Sequence, residues 1–366
     1  MPSSLRGPRK SVVASGGVAQ VDERVTIRQV AEAAHVSPAT VSRVLSGSTR
    51  VDEEMRARTL ATAERLGYRA NKVAQAMRTR SIGAVGMVVP NITNPFFPGV
   101  IQAVERQLRQ SDIRLLLCDS EDDVAQEAEL LLSLLDHRID GILLSACDRI
   151  ASRSAARMVA GHVPLVQVDR VTMRDHPYVG VDHAQAMSTV LAHLVDQGCS
   201  QFAYVSSSLG ISTAAERLRA YVDYVRPVDA RSAERVYIGD FSLAWGKEAA
   251  AMILADGNLP DAIVCVNDLV AVGVLDTLRQ GGVTVPEDVL VTGFDDTVLA
   301  AAAWPPLTSV RQPLEEIGRE AVRIVLSGPT RDPRARVPKS VMPADLIVRT
   351  STQRLRPARY TKSGSR

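Results

Sequence analysis

An all-α N-terminal head followed by an α/β body of doubly wound parallel sheets is the fold class this 366-residue sequence predicts. Three observations lead there. Residues 25–45, VTIRQVAEAAHVSPATVSRVL, carry two short amphipathic helical patterns with a tight turn between them. From Ile82 onward, apolar runs of strand length alternate with amphipathic helical stretches. The charge is also divided along the chain: residues 1–82 hold 14 Lys/Arg against 7 Asp/Glu, which leaves 29 basic and 34 acidic residues to the remainder. A basic head on a mildly acidic body suits a polyanion-binding module whose other domain stays off the polyanion.

Residues 1–24 mix Pro, Gly, Ser and Arg without apolar periodicity and read as a flexible tail. The first helix is expected to start from Thr26 as N-cap, with Gln29 completing a capping box and Ile27, Val30, Ala31 and Ala34 on one face. After a turn through His35 and Val36, Ser37 caps the second helix and Pro38 takes its first position, where a missing N–H costs nothing. Val41, Val44 and Leu45 then point inward. Pro38, Ala39, Ser42 and Arg43 are left on the opposite face, short enough to enter a DNA major groove, with Arg43 as base reader. The periodicity alone also suits an ordinary helical hairpin. A third helix is expected from Asp52 as N-cap through Met55, Leu60, Ala63 and Leu66 to Gly67 at C′. Asn71 to Met77 adds one or two helical turns, too short to hold in water alone.

In the body, IGAVGMVVP, IRLLLCD, DGILLSA, VPLVQVD, QFAYVSS, AIVCVND and VLVTGFDD are continuous apolar runs of the kind buried parallel strands show. Helices are expected over 98–110, 125–137, 184–197, 244–255 and 268–281. Such βαβ alternation gathers sites at the carboxyl ends of strands, where Asp119, Asp169, Ser206, Asn267 and Asp295 stand. The number of strands favours two doubly wound lobes, although a single (β/α)8 barrel fits the pattern too. Residues 353–366, QRLRPARYTKSGSR, read as a second, basic flexible tail.

Cys118, Cys147, Cys199 and Cys265 lie far apart in or beside apolar runs, which excludes a CxxC metal knuckle and a dense disulfide framework and suits buried thiols in a reducing compartment. No metal or cofactor is expected. The first 24 residues lack an apolar h-region and no later stretch reaches about 18 apolar residues, so a cytoplasmic location away from membranes is expected.

The head VTIRQVAEAAHVSPATVSRVL, together with YRANKVAQAM, NITNPFF, ERLRAY, VNDLVAVG and GFDDT, resembles the lactose-repressor/galactose-repressor family of bacterial transcription regulators over roughly residues 25–352. The resemblance implies a helix-turn-helix head and hinge helix over 25–80. It implies a two-lobed, periplasmic-binding-protein-like core over 81–352, one lobe at about 82–181 plus 314–340 and the other at 182–313 plus 341–352. It also implies a homodimer reading an inverted-repeat operator in double-stranded DNA, with Arg43 suited to guanine O6 and N7. Thr26, Ser37, Thr40 and Ser42 match phosphate-binding positions, while Pro38 and Ala39 offer only shape and methyl contacts. In the hinge, Asn71, Lys72, Ala74 and Met77 match the minor-groove segment, with Met77 where leucine is usual as the wedge and Ala70 where proline is usual.

Effector positions implied by the same resemblance are Phe96, Phe97, Asp169, Arg217, Phe241, Asn267 and Asp295. Carboxylates, an amide and an arginine converging with aromatic walls suit a polyhydroxylated ligand, so a sugar or sugar derivative is expected to control operator binding. His183 stands where asparagine is usual, and Ala220-Tyr221 where Gly-Phe is usual. These departures leave a purine, another metabolite or a protein partner open as the signal. A solute-binding receptor is disfavoured by the head. A sugar hydrolase using Asp169 and Asp295 is disfavoured because no activated nucleophile or positioned acid–base pair is legible. The tail lacks a leucine heptad, so a dimer is expected and a tetramer is not.

Overall fold

The computed structural model describes residues 25–45, 51–68, 82–328 and 337–354. The expectations placed on residues 1–24, on the hinge from Ala70 through Asn71, Lys72, Ala74 and Met77, and on the tail from 355 lie outside these residues. The chain divides into two compact units, Met1–Arg78 and Thr79–Arg366.

The first unit contains α1 (Ile27–Ala33), α2 (Pro38–Leu45) and α3 (Glu53–Arg65). Thr26 and Gln29 form the expected capping box: the Thr26 N–H donates to Gln29 Oε1 at 2.7 Å, and the Gln29 N–H donates to Thr26 Oγ1 at 3.4 Å. Asp52 accepts from the Met55 N–H at 3.2 Å to start α3, and Gly67 stands at φ 65° just past its end. Val30, Ala31, Ala34, Val41, Val44 and Ala63 are buried between the helices. The buried stripe of α3 runs through Thr59, Thr62 and Ala63 and leaves Leu60 44% exposed. The buried Thr59 hydroxyl is satisfied by donating to Met55 O at 2.7 Å.

The second unit starts with β1 (Ala84–Val89), α4 (Phe96–Gln110), β2 (Arg114–Asp119), α5 (Val124–Asp136), β3 (Gly141–Leu144), α6 (Arg153–Ala160), β4 (Leu165–Val168) and β5 (Tyr178–Val181). The chain then crosses over and builds α7 (His183–Asp196), β6 (Phe202–Ser207), α8 (Ser212–Val225), β7 (Val236–Gly239), α9 (Leu243–Ala255), β8 (Ala262–Cys265), α10 (Asp268–Gln280), β9 (Leu290–Thr292), α11 (Val298–Ala302) and β10 (Ser309–Arg311). It returns through α12 (Leu314–Ser327) and β11 (Lys339–Met342), and crosses again into β12 (Asp345–Ile347).

Two separate parallel sheets result, ordered β11-β5-β4-β3-β1-β2 and β7-β6-β8-β9, with β10 and β12 forming an antiparallel pair. A single barrel is therefore ruled out. β11 stays in the first sheet to Met342, slightly past the boundary near 340 that the sequence suggested. The run IRLLLCD is not a buried strand. β2 pairs only with β1, at the sheet edge, and leaves Leu116 and Leu117 exposed and Cys118 half-buried, while the other three cysteines are buried. An apolar run does not distinguish an edge from a centre when something else is meant to cover the edge.

A buried apolar cluster runs through both lobes, including Met87, Val166 and Val179 in one and Phe202, Ile263 and Val291 in the other. Helices α9 and α10 meet backbone to backbone, because a Cβ on Gly246 would strike Val270 O and one on Gly273 would strike Leu243 O. That contact fixes the start of α10, where Asn267 sits.

Candidate functional site

In the head, the geometry of α2 divides its residues by the 3.6-residue period. Val41 and Val44 are buried, Pro38, Ala39 and Arg43 are exposed, and Ser42 is half-buried. Ser37 accepts the Thr40 N–H at 3.1 Å, and the two hydroxyls lie 2.9 Å apart, so the helix start is held by side chains that remain at the surface. Thr26 is likewise exposed at the start of α1. The outward face of α2 thus carries small side chains and one guanidinium.

In the body, strand ends and helix starts converge. Asp169 directly follows β4 and Asp295 lies just beyond β9, both buried and both with left-handed backbone, at φ 64° and 98°. Arg217, on α8, is 2% exposed. Its Nη1 donates to Val266 O at 2.7 Å, its Nε donates to His183 Nδ1 at 3.2 Å, and its Nη2 lies 3.6 Å from Asp295 Oδ1. The guanidinium carbon sits 3.5 Å from the Phe294 ring centroid. Gln312 Nε2 donates to the same Asp295 oxygen at 2.8 Å. Asn267 caps α10 by accepting the Val270 N–H at 3.0 Å, so its oxygen is already committed.

Sequence reasoning missed Arg170. It is 4% exposed, with its guanidinium carbon 5.6 Å from the ring centroids of both Phe97 and Phe241. Both expected aromatics, Phe97 and Phe241, thus lie near the Arg170 guanidinium, but Phe97 is itself buried in the core with Phe96, the two rings packing edge-on, and only Phe241 is partly exposed. The available signal for Arg170 was its place next to Asp169 at a strand end; Gln312 carried a similar one, just past β10. Two hydrogen bonds join the lobes nearby, from the Arg149 N–H to Gly210 O at 2.7 Å and from the Val171 N–H to Ser212 Oγ at 2.8 Å.

Burial dominates the electrostatics. It pushes Asp169 up to about 6 although Arg217 and Arg170 pull it down, and it raises Asp295 against the same two cations. His183 is held well below its ordinary value, first by burial and then by the Arg217 charge, so it is neutral and accepts the arginine's proton at Nδ1. Burial also lowers Arg170. Asp268, next to Asn267, is pushed up to about 7 by burial and by Asp295, against hydrogen bonds from Ser309 and Thr297. Three buried carboxylates, Asp169, Asp295 and Asp268, thus share this region with the guanidiniums of Arg217 and Arg170.

Several buried polar atoms here have no partner among the described residues: Asp169 Oδ1, Arg170 Nε, His183 Nε2, Gln312 Oε1, and the hydroxyls of Ser145 and Ser207 at the ends of β3 and β6. Each such atom costs roughly 1–3 kcal/mol when left unpaired. Four of them, on Asp169, Arg170, His183 and Gln312, belong to residues that contact or directly adjoin the Arg217–Asp295 pair or the Phe97 and Phe241 rings.

A helix-turn-helix head joined to a two-lobed body defines a DNA-binding transcriptional regulator. Residues 26–71 match the model of bacterial regulatory proteins of the lacI family, and residues 191–352 match that of the periplasmic binding protein-like domain. The chain is 30% identical over 344 residues to the HTH-type transcriptional regulator DegA of Bacillus subtilis, covering 91% of this chain and 99% of that one. The Lac repressor dimer bound to operator and the anti-inducer ONPF shares the fold, with a TM-score of 0.78 at 23% identity over 90% of this chain and 99% of that one. The CelR–cellobiose complex superposes with a TM-score of 0.65 at 28% identity, over 90% of this chain and all of that one. The chain belongs to the lacI family of bacterial regulatory proteins. It is a regulator and not an enzyme.

Proposed function

We propose that this protein is a repressor which, as a homodimer in the cytoplasm, binds an inverted-repeat operator and releases or grips it according to a carbohydrate held between the lobes. The observation that carries the reading is the set of unpartnered buried donors and acceptors around Asp169, Arg170 and Gln312, flanked by Phe97 and Phe241. Hydroxyls both donate and accept, so a sugar satisfies carboxylate and guanidinium together. The cellobiose bound by CelR is in keeping with this.

A thermal-shift panel of pentoses, hexoses, disaccharides, sugar phosphates and purines on the full chain tests it. A bound sugar at about 100 times its Kd adds about 2.7 kcal/mol, a rise of several degrees in Tm. Asp169→Asn is expected to lose that rise. A shift with purines alone, or with none of the compounds, would defeat the carbohydrate reading.

For the DNA end, Arg43 is assigned to base reading, Thr26, Ser37, Thr40 and Ser42 to phosphates, and Pro38 and Ala39 to close approach. Asn71, Lys72, Ala74 and Met77 are assigned to the minor groove by resemblance alone. The homodimer is supported by apolar residues left at the surface of the body: Leu116 and Leu117 on the edge strand, and Val298 and Trp304, which are 76% and 82% exposed. Trp304→Asp is expected to weaken dimerisation at least about thirtyfold, since an aromatic at the centre of an interface typically contributes 2 kcal/mol or more and two-fold symmetry presents it twice. Sedimentation equilibrium reads this directly, and an unchanged dimer would place Trp304 outside the interface.

A further inference from the structure

We infer that Asp296 is a positioning residue that sets how the two lobes close, by tying the cleft carboxylate of Asp295 to the strands beside two of the chain crossings. β10 leads into the second crossing and β12 follows the third, and the two pair antiparallel through Ser309 with Ile347, Val310 with Leu346 and Arg311 with Asp345. The segment carrying Asp295 and Asp296 is laid along β10: the Asp295 N–H donates to Val310 O at 2.8 Å, and the Asp296 N–H donates to Ser309 Oγ at 3.0 Å.

The two carboxylates then take different partners. Asp295 accepts from Gln312 and faces Arg217 in the cleft. Asp296 accepts from Arg311 Nε at 2.7 Å and lies 2.7 Å from Arg349 Nη1. Consecutive aspartates thus grip consecutive residues, Gln312 and Arg311, at the start of a crossing, while Arg349 adds the strand that follows the other.

The side chain of Asp296 is 3% exposed and that of Arg349 18%, so this pair is largely withdrawn from water, while Arg311 reaches the carboxylate from the surface at 55% exposed. Arg349 is itself fixed, donating from Nη1 to Leu307 O at 2.8 Å and from its N–H to Thr308 Oγ1 at 2.8 Å. Both aspartates hold left-handed backbone, at φ 98° and 47°, a conformation that persists only when surrounding contacts determine it. Movement of the cleft carboxylate is therefore passed through one shared peptide to the crossing strands. In this inference Asp296 acts through Asp295 and the crossings.

The inference rests on the cleft reading for what closure serves, but its test needs no ligand. In the full-length Asp296→Asn variant, hydrogen exchange is measured over peptides containing Arg149 and Val171, whose N–H groups bond across the lobes, with Val205 and Ile263 inside the second sheet as references. Exchange at Arg149 and Val171 is expected to quicken about tenfold with the references unchanged, in line with loss of a charge-assisted buried contact. Arg349→Gln, which leaves the carboxylate its Arg311 partner, is expected to give the same pattern at smaller amplitude. Faster exchange confined to residues 295–297 and 309–311 would show a purely local role and overturn the inference. A rise that includes Val205 and Ile263 would overturn it as well, because Asp296 would then hold the second lobe together rather than set closure. Failure of the sugar panel would sink the carbohydrate reading and leave this result standing.

Discussion

Replacing Arg217 by alanine is expected to lower the Tm of the body on the order of 10 °C at pH 8, and by clearly less at pH 5. The guanidinium is 2% exposed and is the cation nearest to Asp295, and its charge also favours the ionised form of Asp169. Removing one partner of a buried ion pair typically costs 3–5 kcal/mol, because the remaining charge stays desolvated. For a unit of this size each kcal/mol corresponds to a few degrees.

The pH sense follows from linkage. Asp169 is already raised to about 6 in the folded protein, and loss of Arg217 moves it and Asp295 higher. A carboxyl whose folded value lies above its unfolded value binds protons on folding, so the variant's stability is retained at low pH and falls as pH rises through the folded values. His183 works in the same direction, since it loses the cation that helps hold its own value down. Melting curves at pH 5 and pH 8 check the prediction. An equal loss at both would mean that Arg217 acts by packing on Phe294 and not by charge.

Much of this site is legible residue by residue. Asp169 and Asp295 end apolar runs and Asn267 opens a helix, so each is marked locally, whereas Arg217 is reached only through the family resemblance of ERLRAY. What stays hidden depends on the two lobes meeting. Arg170 looks like an ordinary charged residue after a strand until Phe97 from one lobe and Phe241 from the other are brought within 5.6 Å of it. His183 shows in the sequence only as a departure from the usual asparagine, and its work of accepting from Arg217 depends on α7 and α8 packing together. Edge position is hidden for the same reason: β2 has the composition of a central strand, yet it pairs with β1 alone and leaves Leu116 and Leu117 exposed. In the head the local signals were nearly sufficient, since capping boxes and proline positions act within a few residues. The stripe of α3 that the small core selects was the exception, because propensity and apolar character do not fix it.

Arg43→Ala is expected to remove roughly 2–6 kcal/mol of preference for the operator over unrelated DNA while leaving the head folded. Arg43 is exposed on α2, opposite the buried Val41 and Val44, so truncation opens no cavity. A bidentate guanidinium–guanine contact carries about 1–3 kcal/mol of discrimination, and a dimer on an inverted repeat makes it twice. The neighbouring outward residues Pro38 and Ala39 have no side-chain donor or acceptor to take its place, so the loss is concentrated at the base pairs Arg43 reads. Its signature differs from that of a phosphate contact. Loss of a phosphate contact weakens binding to every sequence and reduces the salt dependence by about one per contact, whereas loss of a base contact spares nonspecific affinity and leaves the salt slope close to wild type. Anisotropy titrations on the selected operator and on a scrambled duplex, each at several salt concentrations, separate the two. A uniform loss on both duplexes with a shallower slope would reassign Arg43 to the backbone and leave base choice to shape and methyl contacts from Pro38 and Ala39.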